Sequence, residues 1–313
     1  MKELVVISGK GGTGKTSVVG AFASLSKNAT LADCDVDAAN LHLLLAPEIR
    51  ESHEFSAGSK AVVDCSRCAV CGLCEELCRF SAVRDNGLDD GGLPAPYHID
   101  PLACEGCGVC ARFCPESAIV MNEVVNGQWF ISTTRFGPLV HARLGIAEEN
   151  SGKLVSLVRE KAREVARAHG SSLILVDGSP GIGCPVIASL TGAHAALIVT
   201  EPTVAAHHDL VRIGELTRHF RIPALVCINK CDLNSAETAR IRREAEAAGM
   251  PVVGTIRYDP AVTAAMLEGV SVVEYTERGA SADLRELWAE LSRGLEEASA
   301  PRSASSNTVR RNQ

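Results

Sequence analysis

The sequence predicts an α/β fold, a doubly wound and mostly parallel sheet interrupted by a small cysteine-rich module. Three observations carry this. Short apolar runs alternate with helical segments, a glycine-rich loop closes the first run, and nine of the thirteen cysteines crowd between Cys65 and Cys114. Runs that are apolar throughout mark strands buried on both faces, and such strands belong to parallel sheets. The 313 residues suffice for one large or two ordinary domains. No stretch approaches the about 20 apolar residues of a membrane span. A formal charge of -7 excludes a nucleic-acid binder that works through a broad basic face. The start, MKELVVISGK, lacks the basic end and apolar core of an export signal, so a cytoplasmic location is expected. In that reducing compartment clustered cysteines read as metal ligands rather than disulfides.

Taken in order, the expected strands are ELVVISG (3–9), TLADCDV (30–36), SLILVDG (172–178), AALIVTE (195–201), ALVCINK (224–230) and VVGTIRYD (252–259). A helix is expected at 153–168, KLVSLVREKAREVARA, with Ser151 as its N-cap. Ser151, Gly152 and Lys153 could face an anion or simply cap that helix. A second helix at 283–297 places Leu284, Leu287, Trp288, Leu291 and Leu295 on one stripe. Strands occur on both sides of the cysteines, so the module reads as an insertion. The expected division is therefore 1–60 and 123–297 for the α/β domain and 61–122 for the module. Residues 298–313 have no apolar face and are expected to be a disordered tail.

The module repeats itself. CAVCGLCEELCRFSAV at 68–83 aligns with CEGCGVCARFCPESAI at 104–119, seven of sixteen positions being identical, which points to two copies of one unit. Each copy has C-x2-C-x2-C-x3-C spacing, the two-cluster bacterial ferredoxin run, in which three cysteines hold one cluster and the fourth serves the other. The expected ligands are Cys68, Cys71, Cys74 and Cys114 for one 4Fe-4S cluster, and Cys104, Cys107, Cys110 and Cys78 for a second. Structural zinc sites use separated pairs instead. Arg79 stands where a proline is expected after Cys78. Cys65 falls outside the register as a spare thiol, and Cys34, Cys227 and Cys231 read as small hydrophobes in or beside strands.

After the first strand comes GKGGTGKT: Gly9, Lys10, Gly11, Gly12, Thr13, Gly14, Lys15 and Thr16. Its glycines let backbone N–H groups wrap phosphate oxygens at a helix N-terminus. Lys15 would neutralise phosphate charge and Thr16 would ligate Mg²⁺. Gly9, Gly11 and Gly14 also satisfy G-x-G-x-x-G, with Asp33 and Asp35 about twenty residues on, as a dinucleotide site would. The Lys-Thr pair favours the triphosphate reading. LVDGSPGIG ends a strand on Asp177, which can hold Mg²⁺ through water, and INKCD puts Asn229 where it could read a base edge. Three such strand ends form one nucleotide site.

With GKGGTGKT, DCDVDAANL, DGSPGIGCP, TEPT, NKCD and the cysteine repeat in view, the chain resembles the MinD/Mrp group of deviant Walker A ATPases over about residues 1–295. That group includes the nitrogenase iron protein. More narrowly the chain resembles members with an inserted ferredoxin domain. The resemblance implies a P-loop ATPase using ATP and Mg²⁺. In the implied nucleotide-sandwich homodimer, Lys10 reaches the partner's phosphates while Lys15 and Thr16 serve their own. Asp35 would position the attacking water and Asp33 would support the metal region. NKCD also resembles the guanine-reading N-K-x-D of GTPases, so ATP, which the deviant loop favours, is weighed against GTP.

The leading expectation is ATP hydrolysis coupled to electron transfer through the two clusters toward a redox or metallocluster protein. The alternatives are a cluster-assembly carrier, or a MinD-like positioning ATPase without a redox task. Neither nucleic acid nor stable membrane anchoring is expected. Cys184 follows Asp177 by seven residues, a spacing shared with a cluster ligand of the nitrogenase iron protein. It is read either as a small buried residue packing its turn or as an interface thiol.

Overall fold

The computed structural model describes residues 1–88, 95–145 and 151–297. The expected tail at 298–313 lies outside the described residues, as do 89–94 in the loop joining the two cysteine repeats. Elements follow in the order β1 Lys2–Ser8, α1 Lys15–Leu25, β2 Ala29–Asp33, α2 Leu41–Leu45, β3 Glu48–Val63, α3 Leu73–Leu77, β4 Val83–Arg84, β5 His98–Ile99, α4 Val109–Phe113, β6 Ile119–Thr134 and β7 Gly137–Leu144. Then come α5 Ser151–His169, β8 Leu173–Pro180, α6 Cys184–Leu190, β9 Ala195–Thr200, α7 Val204–His219, β10 Ala224–Asn229, α8 Ser235–Ala247, β11 Val252–Ile256, α9 Pro260–Leu267, α10 Val272–Tyr275 and α11 Ala280–Glu297.

Nine strands form one sheet in the order β11-β10-β9-β1-β8-β2-β7-β6-β3. Every pairing from β11 to β7 is parallel, and β6 and β3 then run antiparallel to their neighbours. All six expected strands stand in the parallel part. Two apolar layers sandwich it, because alternate residues of each strand enter opposite faces. Val5, Ile7, Val176 and Ile198 pack with α5, α6 and α7, while Leu4, Val6, Leu175 and Leu197 pack with α1 and α11. The Leu284, Leu287 and Leu291 stripe of α11 is buried as expected, with Trp288 set against Phe22 at 4.9 Å between ring centroids.

Some expectations need correction. β2 stops at Asp33 and β11 at Ile256, where the chain leaves the sheet to build the site. α5 already includes Ser151, so that residue lies within the helix and is not a cap outside it. β3, β6 and β7 were not expected. Only Phe55 and Ala61 are buried along β3, so its sequence carries no apolar run. β3 crosses residue 61 and β6 crosses residue 122, the expected domain boundaries. The cysteine module is thus the far end of a two-stranded arm of the main sheet.

Candidate functional site

The cleft opens at the carboxyl ends of the parallel strands, the usual ligand crevice of such sheets. It measures about 670 Å³ and is lined by Gly11, Gly12, Thr13, Gly14, Lys15, Thr16, Asp35 and Asn229, among others. Gly14 takes φ 91 at the start of α1, and a Cβ there would lie 2.3 Å from Asn229 Nδ2. Asn229 in turn donates to the Thr13 carbonyl at 2.8 Å, bracing the loop. Gly9 sits outside the cleft against Asp209 of α7.

Lys15 is buried, and its ammonium pairs with Asp177 and, at 3.4 Å, with Asp35. Burial disfavours the Lys15 cation, yet Asp177, Asp35 and Asp33 outweigh it and hold its pKa above the ordinary lysine value. Asp33 pairs in register with Asp177 across β2 and β8. Burial and that neighbouring charge push Asp33 up to about 8. Its carboxylate accepts from Asp35 N at 3.1 Å and Leu41 N at 3.3 Å, so Asp33 shapes the turn that presents Asp35. Burial also raises Asp35, with Lys15 opposing. Asp177 Oδ2 is buried with no hydrogen-bond partner among the described residues. The carboxylates outnumber the one ammonium, and the hard, unpartnered Asp177 oxygen fits Mg²⁺ or its water shell.

Lys10 lies on its own subunit's Glu201 at 2.7 Å, and Lys230 reaches the same carboxylate at 3.0 Å while donating to Gly12 O at 3.2 Å. Sequence reasoning missed Glu201 and Lys230 as parts of the site, although both sit in the quoted TEPT and NKCD segments. Asp232, the last letter of NKCD, accepts from Tyr258 N at 2.7 Å and does not line the cleft. Cys184 is exposed at the start of α6, which overturns the buried-packing expectation. A Cβ on Gly152 would lie 3.2 Å from the Cys184 Cβ, so α5 begins directly against it. Cys34 and Cys227 are buried as expected, and Cys65 is exposed.

In the module the repeat is structural as well as textual. Val83↔Ile99 and Arg84↔His98 pair as Ile119↔Val63 and Val120↔Val62 do, the matching residues standing 36 apart. Left-handed backbone recurs at Val70 and Gly106, Gly72 and Gly108, and Ser81 and Ser117. Ala82 N donates to Cys78 Sγ at 3.4 Å, and Ala118 N donates to Cys114 Sγ at 3.3 Å. Cys68, Cys71, Cys74 and Cys114 line one cavity. Burial raises the Cys110 thiol, and the charges of Cys104, Cys107 and Cys78 raise it further. Burial would raise Cys78 too, but backbone N–H groups of Ala82, Phe80, Val83 and Ser81 hold it below the ordinary thiol value. Among the described residues no three His, Cys, Asp or Glu converge on a single-ion position. Cysteines spread around a cavity, as Cys68, Cys71, Cys74 and Cys114 are, suit a cluster in which each sulfur would bind a different iron.

Fold and cleft together define a parallel-sheet nucleotide-binding protein of the P-loop class. The family profile of the CobQ/CobB/MinD/ParA nucleotide binding domain matches residues 4–272, and the chain belongs to that family. An uncharacterized protein of Methanocaldococcus jannaschii is 32% identical over 237 residues, 74% of this chain and 79% of that one. The fold is shared with MinD of Pyrococcus horikoshii solved with Mg-ADP, at TM-score 0.56 and 16% identity over 96% of this chain and 99% of that one. It is shared also with the cell division ATPase MinD of Pyrococcus furiosus, at TM-score 0.55 and 18% identity over 93% and 98%. Among the described residues no helix is long and apolar enough to cross a membrane.

Proposed function

We propose that this chain is a cytoplasmic, homodimeric ATPase whose nucleotide state controls electron transfer through two 4Fe-4S clusters to a redox or metallocluster protein. The observation that carries the redox half is the crossover of cysteines. Cys114 lines the cavity of Cys68, Cys71 and Cys74, and Cys78 lies within electrostatic reach of Cys110 in the second triplet. When bound, the clusters supply one-electron carriers; the chain's part is to hold them on an arm continuous with the sheet of the phosphate loop. Lys15 and the loop N–H groups take the phosphates, Thr16, Asp177 and Asp33 serve the Mg²⁺ region, and Asp35 positions water. Asn229 lies beside the base. Adenine is favoured over guanine because Asp232 is engaged by Tyr258 N. Lys10 crosses to the partner's phosphates in the ATP-bound dimer.

Anaerobically purified chain is expected to hold about eight irons and eight sulfides. Four irons or stoichiometric zinc would sink the proposal. Cys78→Ser should damage chiefly the cluster of the second triplet, and loss of only the other would contradict the crossover. Reversible one-electron reduction with clusters retained supports electron transfer, whereas passage of an intact cluster to an apo-protein selects the carrier reading. Cys184, exposed beside the nucleotide-sensing turn, is the proposed interface thiol. Cys184→Ser should spare iron content and basal ATPase but weaken ATP-dependent coupling.

A further inference from the structure

The duplication that makes the module also exposes where its two halves differ. Across the spacing of 36, Tyr97 matches Ala61, Glu75 matches Ala111, and Arg79 matches Pro115. Tyr97 is half-buried and lines the cavity of Cys68, Cys71, Cys74 and Cys114. Its hydroxyl oxygen lies 3.1 Å from where a Cβ on Gly72 would be. At Gly108, the matching glycine, no heavy atom among the described residues lies within 4 Å of that position. Ala61, which matches Tyr97, carries only a methyl and is buried in the module's small core. At this matched position one thiolate set has an aromatic neighbour and the other, among the described residues, has none.

We propose that Tyr97 walls the first site off from water and so holds its cluster at a lower reduction potential than the second. This rests on the two-cluster reading above. A reduced cluster carries one more negative charge than an oxidised one, and losing water disfavours the more highly charged form. With clusters bound, the residues of the first set would hold the one loaded by a low-potential one-electron reductant, and those of the second would hold the one that takes the electron on, a transfer that would make or break no bond and move no proton. The second site, lacking the wall, is the exit to a one-electron acceptor. Tyr97 acts as a positioning residue, since it shapes the surroundings of the cluster without ligating it.

The test is a dithionite titration of the full-length chain followed by electron paramagnetic resonance, with iron release to a chelator measured alongside. The parent should show two midpoints. Tyr97→Ala should raise the lower one by about 59 mV, a tenfold change for one electron, and should speed iron release from that site alone. Tyr97→Phe keeps the wall and should leave both midpoints in place. If Tyr97→Ala sheds the first cluster, Ala61→Tyr carries the test, because it should lower the second midpoint toward the first. Unchanged midpoints in Tyr97→Ala with eight irons retained, or in Ala61→Tyr, overturn the proposal, as does a Phe variant that shifts as far as Ala. Failure of the underlying reading looks different: the parent chain itself would not hold two four-iron clusters.

Discussion

The parallel half of the sheet and the antiparallel arm obey different physics. From β9 to β2 the strands are buried on both faces, and burial of their Val, Ile and Leu side chains stabilises them. β3 and β6 run 16 residues each, yet most of β3 is exposed, and ladder hydrogen bonds rather than a core hold the pair. The first region builds a fixed cleft and the second a stiff extension whose far end carries cysteines. The phosphate loop and the cysteine module are thereby set apart while one sheet joins them.

The largest expected effects break one region and leave the other intact. Lys15→Ala removes the only cation among Asp33, Asp35 and Asp177, and nucleotide binding should fall by at least about 100-fold, since a charge-assisted contact to phosphate in a closed site is worth several kcal/mol. Iron content should not change. Asp35→Ala should keep binding but slow hydrolysis by about 100-fold or more, which single-turnover measurement with bound ATP would show. Hydrolysis within a few-fold of the parent would remove Asp35 from its proposed role. If either variant also emptied the thiolate sites, the two regions would not be separable.

What could be read in advance follows the same division. Six of the seven parallel strands were legible because burial on both faces favours unbroken apolar runs, as in LVVIS and LILV, while β7 was missed. The glycine loop was legible because Gly14 has no tolerated substitute beside Asn229. β3 left no such mark, for EIRESHEF alternates no apolar face and its strand character comes from pairing with β6. Side-chain partners were hidden for another reason. That Glu201 holds both Lys10 and Lys230 depends on β9 and β10 being neighbours, which local spacing cannot express. Ferredoxin spacing named the cysteines, but the wall at Tyr97 lies outside the spacing rule.

Within the arm, Gly106 should be the least replaceable residue. It takes φ 63, and a Cβ there would lie 1.9 Å from the Ser59 carbonyl oxygen of β3. Left-handed strain and a clash with backbone that cannot move aside should together cost about 3 kcal/mol in Gly106→Ala. Thermal loss of the visible cluster absorbance should come several degrees earlier while ATP binding is retained. An unchanged transition would mean that the module does not depend on its seat against β3.

The seam between the regions offers a smaller, pH-dependent effect. His141 on β7 is buried, stacks on Phe130 at 5.0 Å and shares a 2.8 Å hydrogen bond with Ser132 of β6. Burial, with a contribution from His42, pushes its pKa down to about 4. The unfolded chain takes up a proton near pH 6.5 that the folded chain refuses until about 4. Stability from this group is therefore complete above pH 6.5 and lost as pH falls toward 4, by at most about 3 kcal/mol. Urea unfolding across that window should be steeper in pH for the parent than for His141→Phe. Equal slopes would mean that His141 is protonated within the fold.

The smallest effect sets the arm against its own symmetry. Val70 occupies the place of Gly106 in the first repeat and takes φ 55, a conformation that costs a β-branched residue about 1–2 kcal/mol. Glycine would remove that strain but give the unfolded chain more freedom, a loss of up to about 1 kcal/mol. The balance favours Val70→Gly by about 0.5 kcal/mol, so the two repeats should respond to opposite substitutions with opposite signs. Differential scanning calorimetry on the cluster-loaded chain can resolve this, with Gly106→Ala as the internal reference. If Val70→Gly destabilised the module by more than about 1 kcal/mol, packing of the Val70 side chain would outweigh its backbone. The repeats would then share a backbone path without sharing what stabilises it.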